Sequence, residues 1–104
     1  MAVEPKNESA LLGHEPGLHQ IQGIGDGFIP DILDVSLIDR IIEVSDADAI
    51  ETTRGLAASN SLLCGTSSGA NVWAARQIAA EHPDWIIATV LPDRAERYFS
   101  TGLL

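Results

Sequence analysis

Hydrophobic and polar positions change rhythm along this chain. Residues 4–30 concentrate glycine and proline, including Pro5, Gly13, Pro16, Gly17, Gly23, Gly25, Gly27 and Pro30, which predicts a stretch that is mostly loop. The same stretch carries Leu11, Leu12, Leu18, Ile21, Ile24, Phe28 and Ile29. A free linker is more polar, so this loop is expected to pack against a neighbour.

From residue 40 the pattern turns regular. The β-branched run Arg40-Ile41-Ile42-Glu43-Val44 predicts a strand. Ser45 follows as a helix cap, with Asp48 where a capping-box acid belongs. Ala47, Ile50, Thr53, Leu56 and Ala57 recur at three and four, so a helix with one apolar face is expected, ending near Ser59-Asn60. Ser61–Cys64 predicts a second short strand, leading into Gly65-Thr66-Ser67-Ser68-Gly69. Ala70, Val72, Trp73, Ala74, Ile78 and Ala79 then mark a second helix, stopped by Pro83. Residues 85–91 are apolar almost throughout, as in a strand buried on both faces of a parallel sheet. Pro92-Asp93 ends that run, and a last short helix is expected over about 94–100.

Strand alternating with helix is the α/β signature. The expected fold is a partial three-layer parallel sheet with flanking helices. Residues 1–104 form a single partial domain, with a packed glycine-rich loop segment over 1–39 and an alternating strand/helix segment over 40–104. Three short strands make an incomplete half of such a domain, with a thin core and sheet edges that want a neighbour.

Composition narrows the function classes. The chain has 104 residues, with 45% hydrophobic and 20% charged side chains, which is ordinary globular composition. Fifteen acidic against six basic residues give a formal net charge of −9. That balance argues against nucleic acid and anionic membrane surfaces as partners. No apolar run approaches the roughly 20 residues that span a bilayer, and Met1–Pro5 lacks a signal-peptide pattern. The single cysteine, Cys64, cannot make an internal disulfide, so a cytoplasmic location is expected. Cys64 reads as a small buried hydrophobe, and Trp73 and Trp85 as core.

Gly65–Gly69 is the sharpest local feature. It joins an expected strand to an expected helix, where α/β folds place ligand sites. Its backbone N–H groups and hydroxyls can hold an anion or heteroatom. The plain alternative is a tight turn in which Ser67 or Ser68 caps the helix. The same residues fit the G-x-S-x-G nucleophile elbow. However, His82 is the only histidine after Ser67 and it precedes Asp84 and Asp93, the wrong order for that triad. Gly23–Gly27 reads as a permissive loop wall rather than a phosphate cradle, since Asp26 would repel phosphate. His14, His19 and His82 have no metal-ligand spacing, so no metal site is expected.

Glu4-Pro5, Leu12-Gly13, Gly17 through Pro30, Val44-Ser45-Asp46, Gly65 through Val72, Leu91-Pro92-Asp93 and Glu96 through Thr101 form an ordered set of motifs. Taken together, they resemble cysteine synthase, the O-acetylserine sulfhydrylase family of fold-type II pyridoxal-phosphate enzymes related to cystathionine β-synthase. The resemblance covers essentially the whole chain but only the C-terminal part of the family. It implies pyridoxal 5′-phosphate as cofactor and replacement of the acetoxy group of O-acetylserine by sulfide. It assigns Ser67 to the pyridine nitrogen, Gly23, Ile24 and Gly25 to the loop lining the cleft, and Pro92 and Asp93 to the turn near the pyridine edge.

The family's Schiff-base lysine, its substrate-carboxylate loop and its phosphate loop have no counterpart here. Lys6, the only lysine, matches no catalytic motif. No residue of this chain is therefore assigned as catalytic, and the chain is expected to be inactive alone. An N-terminal partner chain or a homo-oligomer is implied. The alternative is a non-catalytic remnant that acts as an interaction module with a full-length relative or with serine acetyltransferase.

Overall fold

A computed structural model of the chain describes residues 1–6 and 31–94. Two strands, β1 (Ala2–Pro5) and β2 (Ile41–Val44), pair in parallel, with Ala2 opposite Ile41 and Pro5 opposite Val44. The ladder is continued at its ends by the Ala2 N–H to the Arg40 carbonyl and the Lys6 N–H to the Val44 carbonyl, both at 2.8 Å. Pro5 closes β1, where its missing N–H interrupts nothing. β1 lies inside the stretch expected to be loop. Its four residues are too short a run to stand out beside Pro5 and the glycines that follow.

Helix α1 spans Asp46–Asn60. Its cap is the one expected: the Ser45 hydroxyl accepts from the Asp48 N–H at 3.1 Å. Its buried face is Ala49, Thr52, Thr53 and Leu56, turned from the expected one, since Ala47 is exposed. The helix stops at Ser61, whose backbone is left-handed at φ 56°. The N–H groups of Ser61 and Leu62 both return to the Leu56 carbonyl.

Helix α2 spans Thr66–Glu81. It crosses both strands, and α1 packs along it. Val44, Ala49 and Ala70 form one buried cluster, and Ile42, Ala74 and Ile78 form another. Val3 and Trp73 pack against both clusters, while Ala79 points to solvent. The α/β class holds.

Two expected strands do not form. Residues 61–64 are taken up by the turn that closes α1 and enters α2, and only Cys64 makes a bridge, antiparallel to Arg94. Residues 85–91 carry no strand ladder. Trp85, Ile86, Val90 and Leu91 are exposed, Ile86 completely. A strand buried on both faces needs neighbours on both edges and cover on both sides. Among the described residues, this segment has no strand beside it and rests on α2 and β2: Ile87 packs on the cluster of Ile42, Ala74 and Ile78, and the Asn71 amide donates to the Val90 carbonyl at 2.9 Å. Trp85, expected in the core, stacks instead on the His82 ring, with centroids 3.6 Å apart. The short helix expected over 94–100 lies outside the described residues beyond Arg94, as does most of the glycine-rich loop.

Candidate functional site

The site is built at the N-terminus of α2. Residues 64–70 are all buried, an unusual run for a segment with five polar or glycine positions in a row. Gly65 caps the helix with no side-chain bond, and its carbonyl receives the Gly69 N–H at 3.2 Å. Neither Ser67 nor Ser68 is the cap. Both lie inside the first turn, which frees their hydroxyls for other partners.

The turn at Pro92-Asp93 closes over this helix start. The Asp93 carbonyl accepts from the Gly65 N–H at 3.0 Å and from the Ser68 hydroxyl at 3.3 Å. With the Cys64–Arg94 bridge, these bonds pin residues 93–94 against 64–68. The structure thus brings Asp93 beside the Gly65–Gly69 turn, with Pro92 next to it and exposed. Gly23, Ile24 and Gly25 lie outside the described residues.

Ser67 differs from its neighbours. It is 2% exposed, and its Oγ is buried with no hydrogen-bond partner. Buried hydroxyls are nearly always satisfied, and an unmade bond there is costly. A heteroatom acceptor is the kind of group that would complete it. Cys64, three residues earlier, is buried as expected, and burial pushes its thiol above the ordinary range, against smaller opposing effects of a backbone hydrogen bond and of the nearby Ser68 side chain. It is correspondingly inert as a nucleophile.

A hydrolytic reading finds no base here. His82 is at the far end of α2, about 22 Å away along the helix axis, and His14 and His19 lie outside the described residues. Among the described residues, no group of three His, Cys, Asp or Glu stands together, and no helix is long and apolar enough to cross a membrane.

Two site-building residues were not legible beforehand as such. Asn71 tethers the 85–91 segment, and Thr53 approaches the helix start from α1. The sequence presents Thr53 only as one position of an apolar face. A hydroxyl at a buried helical position was the available signal.

No family model matches the chain. It is 52% identical to cysteine synthase B of Campylobacter jejuni over 103 residues, which is 99% of this chain and 34% of that protein. It is 44% identical to cysteine synthase of Staphylococcus aureus over 104 residues, again 34% of that protein. Among solved structures, cysteine synthase from Entamoeba histolytica superposes with a TM-score of 0.93 at 40% identity, covering 97% of this chain and 30% of the other. O-acetylserine dependent cystathionine β-synthase from Helicobacter pylori superposes with a TM-score of 0.86 at 45% identity, covering 97% and 33%. The chain spans about a third of the length of these relatives, and the matched third is their C-terminal portion.

Proposed function

From the kinship of this chain with the C-terminal third of cysteine synthases, we propose that it forms one wall of a pyridoxal-phosphate site for a cysteine-forming β-replacement. The observation that carries the reading is the Ser67 hydroxyl, buried and without a partner. When bound, the cofactor supplies an electron-withdrawing ring that lets the β-substituent of an amino acid such as O-acetylserine leave and sulfide take its place.

The residues present fit such a ring. Ser67 donates its hydroxyl hydrogen to the pyridine nitrogen. A neutral hydroxyl adds no proton to that nitrogen, which favours elimination over a fully stabilised carbanion. The Asp93 carbonyl holds the first turn of α2 through Gly65 and Ser68. By the resemblance, Pro92 and Asp93 are assigned to the pyridine edge, and Gly23, Ile24 and Gly25 to the wall of the cleft. Chemistry needs an amine that this chain does not offer at the site. Lys6 follows β1, with its backbone N–H on the Val44 carbonyl. The amine and the phosphate loop come from a lysine-bearing segment outside these 104 residues, and the assembled site works in the cytoplasm.

The test is reconstitution. The purified chain should form no cysteine from O-acetylserine and sulfide. Adding a chain with the remaining two-thirds of a cysteine synthase relative should restore turnover. In that complex Ser67→Ala should bind cofactor but lose about two- to tenfold in turnover, the worth of one neutral hydrogen bond. Ser67→Asp should lose more, because an acid there protonates the nitrogen. Stoichiometric labelling of Ser67 by a fluorophosphonate would overturn the reading and revive hydrolysis.

A second reading is supported by the exposed apolar side chains of Trp85, Ile86, Val90 and Leu91. In it the chain is a non-catalytic interaction module that docks on a full-length relative or on serine acetyltransferase. Binding to either without restored turnover in the reconstitution favours this second reading.

A further inference from the structure

We propose that Thr53 of α1 is a positioning residue for Ser67: it sets how far the first turn of α2 stands off from α1, and so where the Ser67 hydroxyl is held. The proposal rests on the reading of Ser67 as the group that meets the pyridine nitrogen.

Thr53 is 1% exposed. Its hydroxyl donates to the Ala49 carbonyl of its own helix at 2.7 Å and lies 3.4 Å from the Gly65 carbonyl. That second carbonyl is the one that receives the Gly69 N–H and so closes the first turn of α2. At the other end of the same turn, a Cβ on Gly69 would fall 1.9 Å from the Thr53 hydroxyl. Thr53 therefore occupies the space that a side chain at residue 69 would need. It touches α2 at Gly65 and at Gly69, and Ser67 lies midway between them.

Helical geometry converts this contact into a placement. Successive residues turn by about 100°, so Gly65 and Gly69 fall roughly on one side of the helix and Ser67 on the other. A support against residues 65 and 69 pushes Ser67 away from α1. Thr53 is that support. The Asp93 carbonyl, holding Gly65 and Ser68, stops the turn from sliding. Ser67 thus needs no bond of its own to be held in place, and its donor stays available. Loss of the hydroxyl at 53 lets the turn settle towards α1 and draws the Ser67 hydroxyl back.

The experiment reads Ser67 directly, before any cofactor is added. Thr53→Ala and Thr53→Ser are compared with the unaltered chain by NMR, following the Ser67 Cβ resonance and amide exchange. For Thr53→Ala the Ser67 resonance should move and the Gly69 amide should exchange roughly tenfold faster. Exchange at the Ile42 and Val44 amides should stay unchanged. Thr53→Ser, which keeps the hydroxyl, should restore both readouts. Equal acceleration at Gly69, Ile42 and Val44 would mean a merely structural role and would overturn the proposal, as would an unmoved Ser67. If Thr53→Ala fails to fold, Thr53→Ser decides alone: values unlike the unaltered chain overturn it. Pyridoxal phosphate and a lysine-bearing partner are then added to the unaltered chain. A Ser67 resonance that ignores them overturns the cofactor reading separately, because the dependence on Thr53 has already been read without them.

Discussion

Arg40, just before β2, and Glu81, in the last turn of α2, meet as a two-armed ion pair that ties the sheet to the far end of the helix crossing it. Arg40 Nη2 donates to Glu81 Oε1 at 2.9 Å, and Nη1 donates to Oε2. The hydrogen bond from Arg40 holds the Glu81 carboxyl below its usual range, against a smaller opposing effect of desolvation, with the charges of Arg40 and His82 adding to the lowering. A depressed folded-state value means stability that is present above the ordinary carboxylate range and lost as pH falls through the lowered one. Both side chains are close to half exposed, so solvent and salt weaken the pair. Glu81→Gln should lower the melting temperature slightly at neutral pH. The difference should shrink in concentrated salt and vanish in acid, as thermal melts across pH will show.

Gly69→Ala should be severe. The added methyl group meets the Thr53 hydroxyl at 1.9 Å and the Ala49 carbonyl at 2.5 Å. Overpacking of this kind costs about 1–3 kcal/mol or more. Combining it with Thr53→Ala should recover only part of the loss, because the Ala49 backbone still stands in the way. Urea unfolding of the single and double variants measures the fraction recovered.

Ser67→Ala should leave the isolated chain as stable as before, or stabilise it by up to about 1 kcal/mol. The change removes a buried hydroxyl with no partner and installs a better helix former. A loss above about 1 kcal/mol in urea unfolding would show that the hydroxyl has a structural partner. The same substitution lowers turnover in the reconstituted complex, so stability and function should move in opposite directions.

Ile86 and Val90 are exposed on a segment with no strand beside it among the described residues. Apolar surface of this kind favours association. The unaltered chain should sediment with a mass that rises with concentration. Ile86→Glu with Val90→Glu should shift it towards the monomer. Its melting temperature should barely change, since exposed substitutions stay within about 0.5 kcal/mol.

The elements that were legible beforehand are those whose signals are local. Ser45 and Asp48 announce the start of α1, Pro83 the end of α2, and the β-branched run the strand at Ile41–Val44. Each depends on bonds within a few residues. The misread elements depend on what lies alongside them. Residues 85–91 have the composition of a buried strand, yet a strand exists only where a neighbour pairs with it. Ser61–Cys64 is apolar enough to be a strand, but the left-handed turn at Ser61 uses it to end a helix. At the site, the Gly65–Gly69 turn was visible as a pattern. Its depth, its closure by Asp93 and the support from Thr53 come from residues remote in sequence, and no local spacing encodes them.

The pairing of β1 with β2 has a consequence for how the molecule assembles. Helices α1 and α2 are neighbours in sequence and meet after closing a loop of a few residues. The strand pair has residues 6–40 between its two members, and so it must close a long loop before it gains any bond. Contacts of that kind form late and limit the rate. The helical hairpin should be the nucleus, already carrying the Ser67 turn against Thr53. Ala2–Pro5 should be the last piece to zip on and the first to peel away, so slow refolding phases should report the docking of these four residues.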